Sequence, residues 1–172
     1  MIDVSLVELI DSVMTAHPPS GAPSRAPIIA PILEAYRATV YAKDLDAHIA
    51  LYDDDVQIFD MWGAWSSRGI AAWRSSTKDW FDSLGTERVV VDIEDLQEYQ
   101  MQDLATGHAI VSYTAVSAAG MRLRSLSNRF TIIVRRVGVA WTIVHQHTSA
   151  PASDTTLTVS LQRPTRDHPH QA

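Results

Sequence analysis

A chain of 172 residues with 46% hydrophobic and 20% charged residues has the size and composition of one globular domain, which excludes a disordered or fibrous chain. No apolar run is long enough to cross a bilayer, and a formal net charge of −6, with 14 scattered basic residues against 20 acidic ones, argues against a nucleic-acid or membrane partner. Cysteine is absent, which removes disulfides, thiolate metal sites and a cysteine nucleophile.

Met1 to Met14 carries Asp3, Glu8 and Asp11 and has no basic start. It does not read as a signal peptide, and a cytoplasmic location is expected. Leu6, Leu9, Ile10 and Val13 fit a short amphipathic helix over residues 3–14, which the segment from His17 to Pro23 separates from the rest of the chain. Residues 1–26 are thus expected to be a helix and linker, residues 27–150 the domain, and residues 151–172 an extension. Within the domain, Ile28, Ile29, Ile32, Leu33, Tyr36 and Val40 repeat at helical spacing after Pro27. Asp44 is a candidate N-cap for a second helix carrying Leu45, Ile49 and Tyr52. An acidic turn, Asp53-Asp54-Asp55, precedes a strand with Val56, Ile58, Asp60 and Trp62 on one face. A third helix over 69–84 places Ile70, Trp73, Thr77, Trp80, Phe81 and Leu84 together.

After Gly85 the period changes to two. Strands are expected near 87–100, 107–117, 121–136 and 139–149, with turns at Gln102-Asp103, Ala119-Gly120 and Val137-Gly138. Helices followed by a meander predict an α+β domain with three helices packed on a curved antiparallel sheet. In the extension, Leu157, Val159 and Leu161 alternate as in an edge strand, and residues 162–172 read as disordered.

Polar residues on apolar faces carry the functional signal, because a buried polar group costs stability unless it has a partner or a task. Asp60 shares its face with Val56 and Ile58, Asn128 with Phe130, Ile132 and Val134, and Tyr36 with Ile29 and Leu33. Together they suggest a lined pocket. His145 and His147 are two apart on the last strand, so both rings leave one face along with Trp141, Ile143 and Ser149. The pair could hold a metal if Asp60 supplied a third ligand, but no second motif with metal-ligand spacing accompanies them, so no metal is expected.

The run Tyr36, Asp44-Leu45-Asp46, Ala50-Leu51-Tyr52, Asp54-Asp55, Asp60, Gly63, Gly69 and Ala71-Ala72 resembles the bacterial ketosteroid isomerases. The ending Arg135-Arg136, Trp141, Ile143-Val144-His145-Gln146-His147 and Ser149 resembles SnoaL-like proteins and the association domain of calcium/calmodulin-dependent kinase. The resemblance implies a cone-shaped, cystatin-like NTF2-like fold enclosing a pocket. It also implies cofactor-independent isomerase or lyase chemistry on a small apolar carbonyl compound. Asp60 would be the proton-shuttling base and Tyr36 a hydrogen-bond donor to the oxyanion, with Asn128 where that family has a protonated Asp. Trp62, Tyr113, Phe130, His145 and His147 are the candidate substrate contacts. The rival expectation is a non-catalytic NTF2-like module that binds a ligand or dimerises, and a homodimer is expected under either reading.

Overall fold

The apolar stripe Ile29, Leu33, Tyr36 and Val40 forms the buried face of the first described helix in a computed structural model that describes residues 26–163. The helix expected over 3–14, its linker and the tail from 164 onward lie outside the described residues. The first described helix, α1 (Ile29–Ala42), is followed by α2 (Leu45–Ile49), β1 (Tyr52–Phe59), β2 (Ser67–Arg68), α3 (Ile70–Ser83), β3 (Arg88–Gln100), β4 (Leu104–Val116), β5 (Arg122–Val137) and β6 (Ala140–Ser149). Asp44 caps α2 as expected, its side chain accepting from the Ala47 N–H at 3.0 Å.

Two differences from expectation lie at the start of the sheet. Tyr52 opens β1 instead of ending α2, and Asp53-Asp54-Asp55 belongs to that strand, not to a turn. The strand tolerates the acids because Asp54 and Asp55 are exposed, while Asp53 accepts from Arg135 at 2.8 Å. That hydrogen bond, with help from the Asp55 amide, holds the Asp53 carboxyl below its usual range.

The sheet has six strands in the order β2-β1-β6-β5-β4-β3 and is curved without closing. Strands β3 to β6 form the expected antiparallel meander, but β1 pairs with β6 in parallel, so the sheet is mixed. Its inner face, with Val91, Val111, Phe130, Ile132 and Val134, packs beneath the helices as one core. Two local devices seat α1 on this face. Gly107 lets Ile29 approach β4, since a Cβ there would lie 2.7 Å from Ile29 Cγ2. Glu98 of β3 accepts the Ile28 and Ile29 N–H groups at 2.7 and 3.0 Å, capping a helix whose own N-cap residue supplies no side-chain bond.

Residues 155–161 do not form a sheet strand. An isolated Ala152–Val159 bridge turns the chain back, and Gln162 and Arg163, expected to be disordered, both make hydrogen bonds. No described helix is long and apolar enough to cross a membrane.

Candidate functional site

Between the helices and the inner sheet face lies a cavity of about 770 Å³, within the range of small-molecule sites. Most of its wall is apolar or aromatic, with Ile58, Trp73, Trp80, Val89 and Leu126 among the lining residues. Tyr36 from α1, Asp60 from the end of β1, Trp62 just beyond it, Tyr113 from β4 and Asn128 from β5 all face this one chamber.

Asp60 is half-buried, one residue past the last hydrogen-bonded position of β1. Its Oδ1 accepts from the Met61 N–H at 2.8 Å and from the Thr148 hydroxyl at 2.6 Å. The Met61 N–H also reaches Thr148 Oγ1 at 2.9 Å, so the two groups that fix the carboxylate's position are themselves linked. Among the described residues no cation pairs with Asp60. An acid held by neutral donors keeps acceptor capacity for a ligand, whereas one locked in a salt bridge would have spent it.

Across the chamber, the Tyr36 and Tyr113 hydroxyls lie 3.0 Å apart and share one hydrogen bond. One of the two hydroxyl hydrogens is used in that bond and the other remains to be donated. Burial pushes both phenols well above the ordinary tyrosine range, and the nearby Asp60 charge adds to the effect, so both are neutral donors at physiological pH. Phe130 does not line the cavity. It is a core residue packed edge-on against Tyr36 at 5.6 Å, where it fixes the ring that does.

Asn128 is buried, with its Nδ2 near the Met61 sulfur at 3.5 Å and its Oδ1 without a partner among the described residues. Thr77 Oγ1, also on the cavity wall, is likewise buried and unpartnered. Buried polar groups are normally satisfied, so these two stand out among the residues that line the cavity.

His145 and His147 are not at the cavity. They stand on the outer face beside Phe59, whose ring is 5.0 Å from His145 and 6.0 Å from His147, and His145 Nδ1 lies 2.9 Å from Gln57 O. The cause is a β-bulge. Ile133 pairs with His145 but Val134 with Ile143, so Val144 is an extra residue and the alternation inverts across it. Ile143 points inward on one side of the bulge, and Gln146 and Thr148 point inward on the other. These last two are cavity residues that regular alternation misses.

Gln146 is anchored by Tyr52, beside a buried Thr39–His48 pair. Thr39 Oγ1 donates to backbone carbonyls of its own helix and therefore receives the bond from His48 Nδ1, 3.0 Å away. Burial pushes His48 down to about 4, so it is neutral at physiological pH with an unprotonated Nε2. The Tyr52 hydroxyl, 3.5 Å from that nitrogen, donates instead to Gln146 Oε1 at 2.7 Å. Anchoring the amide by its oxygen leaves its N–H donors for the cavity that Gln146 lines. Among the described residues no cluster of three or more His, Asp or Glu is arranged to hold a metal ion.

The arrangement sets the fixed Asp60 carboxylate against neutral hydroxyl and amide donors in a mostly apolar chamber, with Asp79 and Arg124 also on its lining. Comparison with known proteins places it. Residues 29–153 match the model of the SnoaL-like domain, and the chain belongs to that family. Its fold is the cystatin-like, NTF2-like one. An NTF2-like protein of unknown function from Pseudomonas putida superposes with a TM-score of 0.69 at 25% identity, over 79% of this chain and 94% of that one. A candidate calcium/calmodulin-dependent protein kinase II association domain from Xanthomonas campestris gives 0.63 at 15% identity, over 79% and 93%. An NTF2-like protein from Novosphingobium aromaticivorans gives 0.61 at 15% identity, over 86% and 90%. The last two likenesses concern the fold alone. No curated protein matches the chain.

Proposed function

We propose that the protein is a cofactor-independent isomerase or lyase that takes a proton from the carbon next to a carbonyl in a small, largely apolar compound. The observation that carries this reading is Asp60. It lines the cavity, is held by the Met61 amide and the Thr148 hydroxyl, and has no cationic partner among the described residues. Asp60 takes the proton. The Tyr36–Tyr113 pair donates its spare hydroxyl hydrogen to the developing enolate oxygen, and the amide of Asn128 or Gln146 supplies a second donor. Neutral donors suit the task, because they strengthen as negative charge builds on the oxygen and need no change of protonation. Trp62 and Tyr113 hold the apolar body of the substrate.

A homodimer in the cytoplasm is part of the same proposal. The dimer is supported by the outer sheet face, where Phe59 is exposed and Ile110 and Ile133 are half-exposed on the side away from the core. Family membership leaves the reaction open, since one fold serves many chemistries. The test is Asp60→Asn, which is expected to lower turnover by at least about 10²-fold with folding intact. Turnover within a few-fold of wild type would remove Asp60 from the chemistry and favour a binding module.

A further inference from the structure

One wall of the cavity is built by chain that lies beyond the family's domain. The SnoaL-like match ends at residue 153, yet Leu161 lines the cavity together with Leu126 and Asn128. The turn that brings it there is closed by the Ala152–Val159 bridge, with Ser153 N–H donating to Thr158 O and Ser160 N–H to Pro151 O, both at 2.8 Å. A place is waiting for the segment. Strand β6 pairs with β5 only as far as Arg129, opposite Ser149, which leaves the remainder of β5 without a β6 partner on that edge. There the Ser127 N–H donates to Leu161 O at 2.8 Å, and Gln162 Nε2 donates to Ser125 O at 2.7 Å.

The far end is fastened separately. Arg163 reaches Glu94 Oε2 at 2.7 Å and Asp95 Oδ2 at 2.6 Å. Adjacent residues of a regular strand point to opposite faces, so one guanidinium would not ordinarily meet both. Here β3 is irregular between Glu94 and Gln97, and Asp95 has φ 57°, which turns both acids toward the same arginine.

We propose that residues 154–163 are a latched strap that closes one side of the cavity and limits the size of the apolar ligand admitted, with Leu161 facing the ligand and Arg163 as the latch. The inference rests on reading the cavity as a ligand site and is independent of what chemistry occurs there. Exposed ion pairs are individually weak, so such a latch holds the strap shut while still allowing it to lift.

The test uses full-length protein carrying Trp62→Phe, Trp65→Phe and Trp141→Phe, which leaves Trp73 and Trp80 as the only tryptophans, and needs no turnover. Acrylamide quenching then reports access to the cavity residues Trp73 and Trp80. Arg163→Ala and Leu161→Ala are each expected to raise the quenching constant about twofold with unchanged circular dichroism, and Arg163→Lys, able to engage one acid at a time, to fall between. Binding of 1-anilinonaphthalene-8-sulfonate and of its larger bis derivative supplies the size readout. The ratio of bis to single-dye affinity is expected to rise about threefold or more in Leu161→Ala. Unchanged quenching in both alanine variants would overturn the strap. An unchanged dye ratio, including no binding by any variant, would overturn its role in size selection. Either result leaves the Asp60→Asn turnover test of the proposed chemistry to be judged by itself.

Discussion

Removing the Glu98 carboxylate should loosen the helix that carries Tyr36 into the cavity. Glu98 accepts two backbone N–H groups at the start of α1, at 2.7 and 3.0 Å, and the first turn of that helix holds no acidic residue. Losing a cap costs about 0.5–2 kcal/mol, and losing a negative charge at a helix N-terminus about 0.3–1 kcal/mol more. Glu98→Ala is therefore expected to lose about 1–3 kcal/mol, or roughly 3–10 °C in Tm for a domain of this size. Glu98→Gln, which keeps an acceptor without the charge, should fall between. The sign with pH is defined. Burial alone would raise the Glu98 carboxyl, but the bonds from Ile28, Gln100 and Ile29 outweigh it and hold the group below its ordinary 4.5. A depressed carboxyl stabilises above its unfolded value and loses that contribution as pH falls, so the gap between wild type and Glu98→Ala should narrow below about pH 4.5. His48 acts over a different window. Its burial-depressed value of about 4, against 6.5 unfolded, contributes stability above 6.5 that is lost as pH falls toward 4. Both proteins share that loss, so the difference between their pH profiles, measured by thermal melts followed by circular dichroism, isolates Glu98. Equal melting temperatures at pH 7, or a gap that persists unchanged into acid, would refute the capping role.

Gly107→Ala would place a methyl 2.7 Å from Ile29 Cγ2 in a fully buried contact, and urea melts should show a loss of about 1–3 kcal/mol, whereas a neutral effect would mean that α1 is not seated there. Tyr52→Phe leaves Gln146 Oε1 without its donor and should cost about 1–3 kcal/mol in the same assay, with a stability equal to wild type contradicting the Tyr52–Gln146 anchor. His145→Ala and His147→Ala lie outside the cavity, so turnover should stay within about twofold of wild type, and a loss above about tenfold would place them in the chemistry after all.

Residues that interrupt a regular stripe were legible in the sequence. Tyr36 on the α1 stripe, Asp60 after Val56 and Ile58, and Asn128 beside Phe130 and Ile132 each break an apolar face whose period survives in the structure, and all three meet at the cavity. The same logic failed wherever the period itself broke. One extra residue at Val144 exchanged His145 and His147 for Gln146 and Thr148, and no residue type at that position announces a bulge. Tyr52 sits at a helix-to-strand junction, where helical spacing still fits a residue that already begins β1. The alternation of Leu157, Val159 and Leu161 suggested a strand, but Leu157 takes φ 55° and the segment folds back as a turn. The parallel pairing of β1 with β6 depends on residues far apart in the chain, and local periodicity holds no record of it.

The central claim is that Asp60 removes a proton next to a carbonyl. Its most direct test is deuterium exchange at the α-carbon, followed by NMR, across a panel of steroidal, terpenoid and cyclic ketones with wild type and Asp60→Asn in parallel. Exchange by the wild type that disappears in a folded Asp60→Asn variant is the predicted result. Exchange that survives the substitution, or no exchange with any ketone from folded wild-type protein, would contradict it.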